Sequence, residues 1–399
     1  MLEIRSDDTE IEKRLVRLCG LIEGAGGYFS PDTALVAEKG NLSIQAKGEA
    51  RGKEPIMRIP HLALLPYEEF SLGVQGNDIV IRSCVEGVTD LRRALMEETL
   101  ALYNLGGKMA LHKRLSPWMN FKEDTGLHEF LMRARQDLDT DEVRAGLEGR
   151  TSSEDFVLAT FFKNRFLSCR LFKKEAPQKR VVMPVMDAFN HHFRGASYHN
   201  AHSEESPDTS SLCLRQMTPV AGSRECYARY GRLDTLDSYL HYSFADTSGP
   251  LVRSIPLTID LGPAGHIKIN AMNSEVPRAD IPDPLKDMHI YVPIVNVYHA
   301  EKRAELSHIF IPQAPAPRTL RRLLDLIIAL MAPEMGEIER FGCVLRAEDI
   351  ILTENLNYYD QIRGMLNEAE FGPSDSFHML ESVVKIQKEK ILAYQNIQA

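Results

Sequence analysis

The segment PVMDAFNHHFRGASYHNAH, Pro184–His202, carries four histidines, His191, His192, His199 and His202, below an aspartate, Asp187. Two readings compete for it. A zinc site needs three or four ligands on rigid elements, with further groups orienting them. His191, His199, His202 and Asp187 supply the number, but their spacing is irregular. The run FRGASYHNAHSEESPDTSS (Phe193–Ser211) reads as a polar loop, where histidines are ordinarily solvated. The other reading starts upstream. RVVMPVMDAF (Arg180–Phe189) is an apolar strand running into a turn, which presents Asn190 and His191 at its end.

Composition bounds the choice. A chain of 399 residues exceeds one ordinary core, so two domains are expected. The net charge of -9 argues against a general nucleic-acid binder, which usually shows a basic balance. Six cysteines, Cys19, Cys84, Cys169, Cys213, Cys226 and Cys343, are scattered with no C-x-x-C pair. That fits a reducing compartment and gives no zinc-cysteine cluster. The N-terminus is charged from the start, with no apolar signal core. The most apolar run, LLDLIIALM (Leu323–Met331), is about half of a bilayer crossing. The expectation is a soluble cytoplasmic protein with no membrane and no nucleic-acid partner.

Apolar periodicity organises the rest. EIEKRLVRLCGLIEGAGG (Glu10–Gly27) and LRRALMEETLALYNLGG (Leu91–Gly107) read as helices stopped by glycine. NLSIQAKGEARGKEPIMRIP (Asn41–Pro60) reads as strand, turn, strand. TSSEDFVLATFFKNRFLSCRLF (Thr151–Phe172) reads as one long helix capped by Ser152 or Ser153. SSLCLRQM (Ser210–Met217) and RECYARYG (Arg224–Gly231) read as short strands. SIPLTIDLGPAGHIKIN (Ser254–Asn270) reads as a hairpin around Gly262–Gly265. After a proline-rich connector, Val276–Asp287, three helix patterns follow, so the chain from about Pro284 is expected to be mostly helical.

PVMDAFNH (Pro184–His191) and, about 40 residues on, YGRLDTLDSYLHYSF (Tyr230–Phe244) together resemble the SET-domain lysine methyltransferases. The likeness is to the class that includes the Rubisco large-subunit methyltransferase and the actin histidine methyltransferase. That class reads roughly P-l-x-D-x-x-N-H, then Y-G-x-x-x-N-x-E with an aromatic beyond. Pro184, Asp187, Asn190 and His191 fall on the first motif; Tyr230, Gly231, Asp237 and Phe244 fall on the second. Arg170, in LSCRLF, stands where the class has an arginine at a helix end. Ala46, Gly52, Ile56, Ile59 and Pro60 keep the spacing of its opening strand pair.

The resemblance implies an α+β fold: a SET domain over 1–250, of several short β-sheets with a knotted loop and a helical insertion at about 90–175, followed by a mainly helical substrate-binding-like domain over 251–399. It implies S-adenosylmethionine as cofactor and a protein or peptide as substrate. Asn190 and His191 would hold the cofactor, an amide being suited by its donors and acceptor. Arg170 would face the cofactor's carboxylate. Asp187 would brace the loop, Phe244 would complete the site, and Tyr230 would be the catalytic residue. Trp118 and Phe121, in the insertion, are candidates for a substrate groove or for the core.

The chain departs from the class in its first half. Where the class has E-G-x-G, this sequence has Gly40, Asn41 and Ser43, and close approach of backbone to a ligand usually needs glycine. Thr235 replaces the class asparagine, and Ser243 the glycine before Phe244. Three functions stay open: N-methylation of a lysine or histidine on a protein, methylation of a small molecule or free peptide, and a binding protein derived from the fold without turnover.

Overall fold

The computed structural model describes residues 2–48, 55–121, 125–138, 140–171, 178–201, 210–215, 220, 222–276, 280–281, 292–313, 319–368 and 374–396. Gly52, His202 and most of the proline-rich connector lie outside them, as do the side chains of Phe121 and Asp187. The chain is α+β, several small sheets with helices, and ends in three helices. It divides into two compact units, Met1–Arg114 with Gly149–Arg232, and Leu115–Glu148 with Leu233–Ala399.

The helices, in chain order, are α1 Thr9–Gly24, α2 Asp90–Leu105, α3 Lys108–Leu115, α4 Pro117–Phe121, α5 Thr125–Ala134, α6 Asp141–Leu147, α7 Ser153–Lys163, α8 Thr235–Tyr242, α9 Thr319–Met331, α10 Glu337–Glu368 and α11 Asp375–Asn396. Local chemistry sets their starts. Asp8 accepts from the Glu10 and Ile11 amides, Thr89 from Arg92 and Ser152 from Asp155, each satisfying a first-turn donor. Ile11, Leu15, Leu18, Cys19 and Ile22 form the buried stripe of α1.

In the first unit, β1 Glu3–Ser6 runs parallel to β3 Thr33–Glu38, which pairs antiparallel with β4 Asn41–Ala46. A second sheet has the order β12-β13-β5-β2, from β2 Tyr28–Phe29, β5 Met57–Pro60, β12 Tyr198–Ala201 and β13 Ser211–Leu214. A third is β6-β10-β9, from β6 Leu65–Pro66, β9 Phe166–Cys169 and β10 Lys179–Val182. Strands β7 Phe70–Gln75 and β8 Asp78–Cys84 form a hairpin, and β11 spans His191–Ala196. One core joins Leu15, Leu18 and Ile22 to Ile44, Ile59, Met96, Phe161, Val181, Phe189 and Ala228.

Three sequence expectations are corrected here. The helix from Ser153 stops at Lys163, and Phe166–Cys169 is strand β9. Its partner β10 lies beyond the reach of local periodicity, and Phe166 stacks on Phe162 across the turn. The strands within Asn41–Pro60 do not pair with each other: β4 joins β3, and β5 joins β13 and β2. RECYARYG forms no strand, only single bridges at Glu225 and Ala228, because different neighbours take its backbone on its two sides.

In the second unit, the hairpin expected around Gly262–Gly265 is present as β15 Leu257–Asp260 and β16 His266–Ile269. It extends into a sheet of order β15-β16-β18-β17, with β17 Val295–Tyr298 and β18 Arg303–Leu306. Strands β14 Leu251–Arg253 and β19 Phe310–Pro312 pair separately. The strands after Pro284 carry no clear sequence signal, yet they precede the expected helices α9, α10 and α11. No helix among the described residues is long and apolar enough to cross a membrane.

Candidate functional site

Glu38 pairs with Asn41, so β3 and β4 are joined by the two-residue turn Lys39-Gly40. Both residues are left-handed, φ 51° and 76°, as a type I′ turn demands. The turn closes on the end of α2: a Cβ on Gly40 would lie 3.2 Å from Gly106 Cα. Beside it opens a cavity of about 270 Å3, lined by Gly40, Asn41, Leu42 and Asn190, with Lys108 and apolar Ile11, Leu102 and Tyr103. That is slightly below the roughly 300–1,000 Å3 typical of small-molecule sites.

Asn190 reaches this cavity from a strained turn. Val185 has φ 64°, a left-handed conformation that a β-branched side chain strongly disfavours, and it leads into the 3-10 turn Met186–Ala188. Such outliers cost about 1–3 kcal/mol and gather at functional sites. Asn190 Nδ2 donates to Glu225 Oε1 at 2.6 Å and to the Leu42 carbonyl at 3.4 Å.

Residues 224–230 are laced between β4 and the loop bearing Asn190. On one side the Ala46 amide donates to the Arg224 carbonyl and the Cys226 amide to Ile44. On the other, Ala228 donates to the Asn190 carbonyl, Ala196 to Tyr227 and Arg229 to Ala196. Gly195 permits this approach: a Cβ there would lie 2.5 Å from the Ala228 carbonyl carbon. Tyr230 ends the segment. Its amide donates to His191 Nδ1 at 3.1 Å, the two rings lie 5.2 Å apart, and its hydroxyl donates to the Phe189 carbonyl at 2.6 Å. With that proton committed, the oxygen meets any further group as an acceptor.

Asn190, His191 and Tyr230 are therefore brought together, on backbone that hydrogen-bonds directly to itself. Asp187 lies in the 3-10 turn just before them. Arg170 differs from the sequence reading: it is exposed and follows strand β9, because the helix has already ended at Lys163. Phe244 lies in the second unit, its ring 6.1 Å from Tyr242. Of the four histidines, His191 is engaged with Tyr230, His192 packs on Tyr227 at 5.3 Å, and His199 is exposed. No group of three potential metal ligands occurs among the described residues. Lys108 and Glu225 were not singled out by sequence; a cation following Gly106-Gly107 was the one signal available for Lys108.

The second motif's helix rests on a buried ion network in the second unit. Asp234 and Asp237 cap α8 reciprocally. Arg135 donates to Asp234 at 2.8 Å and Asp237 at 2.7 Å; Arg253 donates to Asp237 at 2.7 Å and Asp137 at 2.8 Å. Burial, then the adjacent Asp234 charge, outweigh the guanidiniums at Asp237 and push its carboxyl up to about 6. At Asp234 burial also pushes upward, but Arg135 and the backbone donors win and hold it low. Thr235, in place of the class asparagine, donates to the Asp246 carbonyl and accepts from buried Lys390. Ser243 caps α8 in the left-handed region, φ 61°, which is where glycine is favoured. Trp118 is buried, its indole N–H donating to the Leu240 carbonyl, so it belongs to the core rather than a groove.

No protein-family model matches the chain, and no curated protein matches it. Among solved structures, it is similar to the SET domain of LSMT bound to lysine and AdoHcy, with TM-score 0.39 and 12% identity over 96% of this chain and 90% of that one. It is also similar to Rubisco LSMT bound to AdoMet, TM-score 0.37 and 12% identity, with the same coverage. A third is Rubisco LSMT bound to sinefungin and monomethyllysine, TM-score 0.36 and 14% identity, again over 96% and 90%.

Proposed function

We propose that the chain is a SET-type methyltransferase that uses S-adenosylmethionine to methylate a lysine or histidine nitrogen on a protein. The observation that carries this is the joining of Asn190, which lines the cavity, to Tyr230, whose hydroxyl is fixed on the carbonyl of the residue before Asn190. The cavity suits such a cofactor: Asn41, Lys108, Asn190 and the Leu42 carbonyl offer polar partners, and Ile11, Leu102 and Tyr103 offer an apolar face. When bound, the cofactor supplies an electrophilic methyl group on a positive sulfonium.

The protein's part is alignment and exclusion of water, since displacement at the methyl carbon needs no acid at the leaving group. Tyr230 oxygen, oriented as an acceptor, can receive an N–H from the incoming amine and weak C–H contacts from the methyl. A lysine nucleophile, ordinarily protonated up to about pH 10.4, must lose its proton first, and a neighbouring positive charge favours the neutral amine. A histidine nucleophile needs no such help at neutral pH.

Calorimetric titration of S-adenosylmethionine tests the reading. Micromolar binding, about 8 kcal/mol, is expected for the native chain and its loss in Asn190→Ala. Tyr230→Phe should still bind and fail to transfer. Absence of binding by the native chain would sink the proposal. A second reading, docking without turnover, is favoured by one observation: Lys108 already bonds Asn41, and Asn190 already bonds Glu225. Methyl transfer to lysate proteins, compared with free peptides and amino acids, separates the protein enzyme from both a small-molecule enzyme and a docking protein.

A further inference from the structure

Resting on that reading, we infer that Lys108 is the cation for the cofactor's carboxylate, the role the sequence resemblance gives to Arg170. Lys108 lines the cavity; Arg170 does not, and it is exposed beyond strand β9. The cavity's polar edge runs through two adjacent residues of β4. Lys108 Nζ donates to Asn41 Oδ1 at 3.2 Å, and the next carbonyl, Leu42, accepts from Asn190 Nδ2 at 3.4 Å. The same Nδ2 donates to the Glu225 carboxylate at 2.6 Å. A positive group therefore stands at one end of this edge, and at the other the negative Glu225, outside the cavity lining, is held behind Asn190.

That charge order matches a zwitterion. The amino-acid end of S-adenosylmethionine carries a carboxylate and an ammonium on one carbon. Its carboxylate faces Lys108, and its ammonium faces the Asn190 amide oxygen, with the Glu225 carboxylate behind that amide. Ile11, Leu102 and Tyr103 are left for the less polar nucleoside part. The arrangement accounts for the altered glycine segment. Asn41 stands where the class has its first glycine, and here its side chain orients the lysine that supplies the charge.

The test is calorimetric binding of two probes to the full chain. S-adenosylhomocysteine has the amino-acid end; 5′-methylthioadenosine lacks it. Lys108→Met should weaken S-adenosylhomocysteine about tenfold to a hundredfold, as loss of one charge-assisted contact does, and leave methylthioadenosine unchanged. Lys108→Arg should restore most of the affinity, and Arg170→Ala should change neither probe. A thermal melt within a few degrees of native establishes that Lys108→Met is folded; if it is not, the arginine and Arg170 variants still decide by the same two-probe comparison. Equal weakening of both probes, no weakening of either, or a selective loss in Arg170→Ala overturns the assignment. If the native chain binds neither probe, the cofactor reading fails, and the assignment fails with it.

Discussion

Gly195→Ala isolates the close packing that holds Tyr230 in place. The new Cβ would lie 2.5 Å from the Ala228 carbonyl carbon, 2.6 Å from its oxygen and 2.9 Å from the Arg229 nitrogen. All three are backbone atoms, so no side chain can rotate away. Ordinary contact needs a separation of roughly 1 Å more, at an overpacking cost of about 1–3 kcal/mol. The shift also strains the Ala196–Tyr227 and Arg229–Ala196 hydrogen bonds, now 2.9 and 2.7 Å, each worth about 1 kcal/mol. Local destabilisation of about 2–4 kcal/mol is expected. Amide exchange across residues 224–231 should therefore rise on the order of 30- to 1,000-fold, with S-adenosylhomocysteine affinity falling alongside. Gly20→Ala is the matched control. Gly20 sits in α1 with open space around its Cβ, so alanine there should stabilise by about 1 kcal/mol. Exchange at 224–231 unchanged within threefold in Gly195→Ala would refute the lacing argument.

Three further outcomes are expected. Ser243→Gly should stabilise the second unit by about 1 kcal/mol in denaturant titration, because serine there occupies the left-handed region; a loss of stability would contradict that cost. Burial, then the Arg165 and Lys113 charges, hold His112 down at about 3. Its neutral form therefore contributes stability above pH 6.5 that is lost as pH falls toward 3, by up to about 1.4 kcal/mol per unit. His112→Gln should flatten that acid limb in denaturant midpoints between pH 7.5 and 4.5, and equal slopes would exclude it as the source. Arg135→Met leaves Asp234 and Asp237 buried with one guanidinium fewer and should destabilise the second unit by about 3–5 kcal/mol. Trp118, buried in that unit, reports its unfolding by fluorescence, and a change under 1 kcal/mol would show that Arg253 alone suffices.

Local sequence determined the elements whose cause is local. Helices α1 and α2 were legible from an apolar stripe and a glycine stop, and α9, α10 and α11 from their periodicity. The order Asn190-His191 then Tyr230-Gly231 pointed to one site only through the resemblance of the two motifs to a known class. Tertiary structure decided what depends on partners distant in the chain. Phe166–Cys169 is a strand because β10 lies alongside it, though its text continues a helix. Arg224–Tyr230 bonds to β4 on one side and to the Asn190 loop and β11 on the other, so it carries no strand periodicity of its own. Lys108 lines the cavity because Gly40 and Gly106 let the β3–β4 turn close on the end of α2. Periodicity records which face of a segment is buried; it does not record which distant backbone or charge meets that face.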